Sequence, residues 1–416
     1  MSDKPATNAD MNAANDRGES VSLMEPLLIA EGSRHRPDLV DQVMGLTARS
    51  SRLRHRLPGG LVRALAGLVR SMNCYYSNLI EGHDTHPVAI ERALNDDFSV
   101  DPRQRDLQLE AKSHIAAQQW IDNGGLADRA ACVEGLRELH RRFCEHLPKS
   151  LLVVEHPQTG KPLPVVPGNL RQHDVQVGRH VPISPGSLPR FLTRFEQVYG
   201  QVGRTEGVLA AACAHHRLLW LHPFLDGNGR VAHLMSYALL LDRLETGAIW
   251  SVARGLARNE GEYKARLMAC DLERRNDLDG RGHLSEEALA EFVGFFLNVC
   301  LDQVDFMERL VEPAALTDRV VRWARDEIER GRLAPRSDRV LEAALYRGEL
   351  PRGEVVDIAG VSERQARRVS RGLLDTGIVT AESTRAPLRL TFPAHLASRL
   401  MPGLFPEPSE SVRGGA

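Results

Sequence analysis

Apolar positions recur at helical spacing along most of this chain, and only short stretches alternate as strands do. Leu39, Val43 and Leu46 follow Asp38 at that spacing, predicting a helix after Pro37 that Pro58, Gly59 and Gly60 break. A longer helix over 61–79 places Leu61, Leu65, Leu68, Val69 and Met72 on one face and ends near Gly82. Helices over 87–93 and 107–120 flank an acidic turn, and Gly124 and Gly125 separate them from a helix over 136–147. After Pro148 the period changes: β-branched runs at 151–154 and 165–166 read as strands, and the segment from Gly168 through Val175, Val177 and Val181 to Pro185 alternates like a hairpin. Helical spacing returns over 187–198, 206–221, 231–244, 259–273, 289–310 and 317–331.

The C-terminal part changes style. Helices over 340–346, 352–359 and 362–374 precede strands over 377–380 and 388–391, the order of a winged helix-turn-helix. The pattern predicts a mainly α protein in consecutive parts. These are a disordered tail at 1–22, a helical region at 23–130, a core at 131–312 with a β-hairpin, a linker helix at 313–335, a winged-helix domain at 336–402 and a second disordered tail at 403–416.

Composition narrows the function only a little. Among 416 residues, 53 Lys and Arg face 55 Asp and Glu, so no overall charge marks a nucleic-acid binder, although a local patch remains open. The six cysteines are scattered without a C-x-x-C pair, as buried thiols in a reducing cytosol are, rather than a disulfide or zinc framework. The N-terminus lacks an apolar core for export, and the most apolar run, 208–221, is interrupted by His215, His216 and Arg217. Neither a signal nor a membrane span is expected, and the cytoplasm is the expected location.

Chemistry concentrates between His222 and His233. The helix expected over 231–244 puts the Gly227, Asn228 and Gly229 segment at its N-terminus, so unpaired N–H groups and the positive end of the helix dipole make the turn an anion site. His222, with an ordinary pKa near ~6.5, suits a general base for a hydroxyl. Asp226 offers hard oxygen ligands for a magnesium ion shared with a nucleotide. Arg230 adds a bidentate phosphate clamp, and Phe224 reads as an inward anchor.

This stretch resembles the signature of Fic-domain proteins, H-x-F-x-[D/E]-G-N-[G/K]-R-x-x-R, at every defining position but the last. The resemblance implies transfer of AMP from ATP to a Ser, Thr or Tyr hydroxyl of a target protein or of the chain itself. It makes His222 the base, Asp226 the magnesium ligand, and Gly227, Asn228, Gly229 and Arg230 the phosphate binders. It extends over about 77–271: the hairpin expected at 168–185 matches the family's flap for the target backbone, and Tyr263 and Asp271 fall where the family lines its adenine pocket. Ser77, Glu81 and Gly82 are similar to the inhibitory pattern (S/T)-x-x-x-E-(G/N), whose glutamate pairs with the final arginine of the motif. Here that arginine is His233, one turn after Arg230, which puts γ-phosphate binding in question. If Glu81 pairs with His233 and raises its pKa, the restraint is strongest at low pH and fades as pH rises. Removal of AMP, the reverse reaction, is also within the family's range.

Other constellations carry less. His215 and His216 point to different helix faces and read as packing or capping groups, and His140, His146 and His156 show no ligand spacing. Arg364, Arg367, Arg368 and Arg371 share one helix face opposite Ala366, Val369 and Leu373, as on a recognition helix against DNA phosphates. A second reading is therefore a DNA-binding regulator whose core senses nucleotide or has lost catalysis. A homodimer is left open.

Overall fold

The computed structural model describes residues 15–156 and 160–406 and is mainly helical. The predicted helices form with shifted ends, among them Arg36–His55, Gly59–Ile80, Pro102–Asp122, Val133–Cys144, Leu188–Tyr199, Arg204–Leu221, Asn228–Leu244 and Glu286–Leu310. A short helix, Ala253–Arg258, has no counterpart among the predicted elements. No helix among the described residues is long and apolar enough to cross a membrane. All six cysteines are free thiols, five of them buried.

The chain divides into two compact units, each discontinuous in sequence. One gathers the chain up to Val43, Ala116–Arg243 and Asn259–Leu297; the other gathers Met44–Ile115, Leu244–Arg258 and the chain from Asn298 onward. Each unit thus joins segments far apart in the sequence; periodicity reveals which face of an element is buried but not which distant element covers it.

In the first unit, Arg204–Leu221 is buried on nearly every side, the mark of a central helix. Its polar residues are therefore satisfied from within. Arg217 is 0% exposed, and its guanidinium donates to the Pro26 carbonyl at 2.8 and 3.1 Å and to His216 Nδ1 at 2.7 Å. Leu188–Tyr199 lies against this helix, burying Phe191, Phe195 and Tyr199.

The N-terminal end of the described chain corrects one expectation. Residues 15–22, placed by composition in a disordered tail, are docked on the first unit; residues 1–14 lie outside the described part. Asp16 pairs with Arg190, Arg17 with Asp174, and the Glu19 carboxylate accepts from both the N–H and the hydroxyl of Ser184. Polar contacts, not apolar burial, hold this strap, which is why hydropathy overlooks it. The C-terminal tail is shortened likewise: Leu404 is buried and its carbonyl accepts from Tyr76, while Arg254 reaches the Gly403 carbonyl, both within the second unit. Residues 407–416 lie outside the described part.

The hairpin also moves. Val153–Glu155 pairs antiparallel with Pro162–Pro164, whereas 168–185 contributes only an isolated bridge between Val177 and His180. Pro167, Pro182 and Pro185 cannot donate to a ladder. The carbonyls of His173 and Ile183 are instead taken up by the Arg171 side chain.

In the second unit, Gly59–Ile80 buries its apolar face and Trp250 donates to Ser50 at 2.9 Å. Its C-terminal stretch runs Ser337–Arg347, Val355–Ala359 and Glu363–Asp375. A three-stranded antiparallel sheet accompanies these helices, with Leu388–Leu390 between Glu349–Leu350 and Val379–Thr380.

Candidate active site

The central helix Arg204–Leu221 stops at His222, which adopts the left-handed conformation, φ 48° and ψ 60°, with Pro223 next in the chain. The chain then turns through buried Phe224 into a loop that Asn228 closes. The Asn228 side chain accepts from the Phe224 N–H and donates to the Phe224 carbonyl, each at 2.9 Å, so both backbone groups are satisfied inside the protein. Gly227 has φ +79°, a conformation only glycine takes without strain. The helix Asn228–Leu244 starts directly after it, and its first N–H groups open onto the loop.

Two residues outside the motif fix this loop. His140 accepts from the Gly168 N–H at Nδ1, 2.8 Å, so its proton sits on Nε2, which faces the Asp226 carbonyl at 3.1 Å. Its ring stacks on Phe224 at 4.0 Å between centroids and 5° between planes, and a Cβ at Gly227 would touch it. Burial pushes the His140 pKa down to about 4, which keeps this neutral tautomer in place. Arg171, 3% exposed, donates through Nε to the His222 carbonyl at 2.8 Å, while its own N–H bonds the Pro223 carbonyl at 2.9 Å. Both residues are far from the motif in sequence, and neither shows a spacing signal.

The electrostatics follow from this packing. Burial, aided by the positive charge of Arg171, pushes the His222 pKa down to about 3. Its imidazole is therefore neutral at physiological pH and able to accept a proton. One Asp226 oxygen accepts from the Gly227 N–H at 2.6 Å, and the other makes no hydrogen bond among the described residues. A single half-buried carboxylate of this kind fits a magnesium ion that takes its remaining ligands from water and phosphates. Among the described residues, no cluster of three or more His, Cys, Asp or Glu side chains is placed to cage a metal.

Arg230 is 7% exposed, its guanidinium 5.7 Å from the centroid of Phe143. His233 is 4% exposed and packs in a ring cluster, 5.6 Å from His215 and 6.4 Å from Tyr263. His215 bonds Ser236 Oγ at 2.8 Å and the Tyr263 hydroxyl at 2.7 Å; His216 bonds Asp271 at 3.1 Å and the Leu267 carbonyl at 3.2 Å. The adjacent histidines thus serve packing, and Tyr263 and Asp271 are their partners. Burial drives His215 to about 3 and His216 to about 4.

Ser77, Glu81 and Gly82 belong to the second unit. Ser77 is buried in the last turn of Gly59–Ile80, Glu81 caps that helix, and Gly82, φ +83°, ends it with its N–H on the Leu79 carbonyl at 3.0 Å. Arg364, Arg367, Arg368 and Arg371 all stand exposed on Glu363–Asp375.

Comparison with known proteins bears on the same stretch. Residues 131–240 match a family model described as Fic/DOC family. The chain is 29% identical over 169 residues to Protein adenylyltransferase Fic of Drosophila erecta, a match covering 40% of this chain and 31% of that protein. It is 30% identical over 169 residues to Protein adenylyltransferase Fic of Drosophila grimshawi, covering 40% of this chain and 32% of that one. The match thus spans about a third of these relatives' length. The crystal structure of a Fic family protein from Desulfovibrio desulfuricans G20 superimposes with a TM-score of 0.50 at 16% identity, covering 88% of this chain and 98% of that chain, a likeness of fold. Residues 131–240, which hold the loop from His222 to Arg230 and the helix it opens, are thus the stretch of this chain that is similar to the Fic/DOC family.

Proposed function

We propose that this protein transfers AMP from ATP to a hydroxyl of a target protein, its own chain included. The observation that carries the reading is a neutral, backbone-anchored His222 on the loop that opens onto the N-terminus of Asn228–Leu244. The target oxygen attacks the α-phosphorus, the bond to the bridging oxygen breaks, and pyrophosphate leaves. The hydroxyl proton passes to the His222 imidazole. Helix N-terminal N–H groups at Gly229 and Arg230, with the Arg230 guanidinium, stabilise the charge on the phosphates. Asp226 would hold magnesium, which supplies Lewis-acid neutralisation of phosphate charge when bound.

A cleft of about 260 Å³ between the second hairpin strand and the motif loop is lined by Leu163, Pro164, Val166, Arg171 and Leu225. It suits an extended target backbone, which needs little side-chain recognition. Glu81, fixed at a helix end by Gly82, is the proposed intramolecular restraint, by its sequence pattern.

Label transfer from α-labelled ATP tests the reading in wild type, Glu81→Gly and His222→Ala. Glu81→Gly is expected to label protein more strongly than wild type, and His222→Ala not at all. A Glu81→Gly protein that labels neither itself nor any protein of a cell extract would sink it.

A further inference from the structure

The second unit carries a surface that AMP transfer does not use. Val355–Ala359 ends at Gly360, φ +63°, and two residues later Ser362 caps Glu363–Asp375 through a reciprocal capping box with Gln365. Two helices joined by a three-residue turn containing glycine form a helix-turn-helix. Ala366, Val369 and Leu373 are buried, anchoring the second helix by its apolar face. Arg364, Arg367, Arg368 and Arg371 stand on the opposite face.

These arginines are not equivalent. Arg367 pairs with Glu363 at 3.1 Å and Arg371 approaches Asp375 at 3.9 Å, pairs so exposed, 71–86%, that solvent screens them. Arg364 and Arg368, one turn apart, meet no carboxylate among the described residues. The loop between Val379–Thr380 and Leu388–Leu390 adds exposed Thr384 and Arg385. Across 336–402 arginines outnumber carboxylates, although the whole chain carries −2.

We propose that this helix docks on duplex DNA, with Arg364 and Arg368 against backbone phosphates. Charge complementarity selects the partner. The exposed positions of the helix, Glu363, Arg364, Gln365, Arg367, Arg368, Arg371 and Asp375, include no apolar or aromatic side chain of the kind that anchors a protein interface. Exposed guanidiniums without an apolar anchor suit phosphates, which fix register without reading sequence.

The test is fluorescence anisotropy of a labelled random-sequence duplex with the full chain, in potassium chloride from about 50 to about 200 mM. Binding is expected at the low end, with the logarithm of affinity falling linearly with that of salt. Arg364→Gln with Arg368→Gln is expected to lower the slope by about two and to weaken low-salt binding about tenfold, one phosphate contact per residue. The corresponding double lysine variant is expected to keep the slope. Equal melting temperatures confine the comparison to binding. Absence of binding throughout the series, an unchanged slope in the glutamine variant, or equal displacement of the duplex by a polyglutamate peptide would overturn the proposal, the last in favour of an acidic protein partner.

Discussion

His222 holds its left-handed conformation at a backbone cost of about 1–2 kcal/mol, and the Arg171 hydrogen bond to its carbonyl helps retain it. The same guanidinium helps depress the imidazole. Because the His222 pKa in the free protein is lowered from 6.5 to about 3, the neutral, proton-accepting form persists well below neutral pH. The pH profile of kcat/KM for AMP transfer, which reports the free enzyme, is therefore expected to show no acid inflection near 6.5. An inflection there that disappears in a His222 variant would contradict a His222 that stays neutral in the free protein. The candidate residues His222, Asp226, Asn228 and Arg230 stand out in the sequence because they are nearly contiguous. His140 and Arg171 do not, since the value of each lies in a backbone carbonyl reached across the fold. A histidine chosen for its tautomer has no spacing rule, and a buried arginine bonded to carbonyls leaves no acidic partner to look for.

Among the elements, the helix Gly59–Ile80 ends on a single left-handed residue. Gly82 takes φ +83° with open space around its Cα, so a methyl group there meets no neighbour. Gly82→Ala is expected to cost about 1 kcal/mol from backbone strain alone, read as a lower urea midpoint with unchanged slope. A neutral result would mean that the helix end relaxes without the left-handed turn and that Glu81 is not fixed by it. Helices were legible in general because one wrong residue does not disturb a long apolar stripe. The hairpin was not: alternation at 168–185 looked like a strand, yet its prolines deny it a ladder, while two prolines in Pro162–Pro164 hid a real pairing whose hydrogen bonds fall on other residues.

At the scale of the molecule, acid is the informative stress. His140, His215, His216 and His222 are all depressed in the folded state, to between about 3 and about 4, by burial above all. Unfolding returns each to an ordinary value near ~6.5, where it binds a proton. The stability that comes from keeping them neutral is thus intact above pH 6.5 and declines as pH falls toward 4, each histidine adding up to about 1.4 kcal/mol per pH unit. Urea melts from pH 7 to pH 5 are expected to show a steep loss of stability, shallower after His215→Gln. A flat response would place the four rings in contact with water.

The strap at residues 16–19 has a mechanical meaning. Its ion pairs and the Glu19 contact with Ser184 grip 174–190, the same segment whose Ile183 carbonyl accepts from Arg171, and Arg171 in turn holds the carbonyl of His222. A pull applied at the N-terminal side loads these contacts one after another, in shear along the surface. The loop that begins at His222 would then lose this anchor while the central helix before it, held by its own burial, stayed in place.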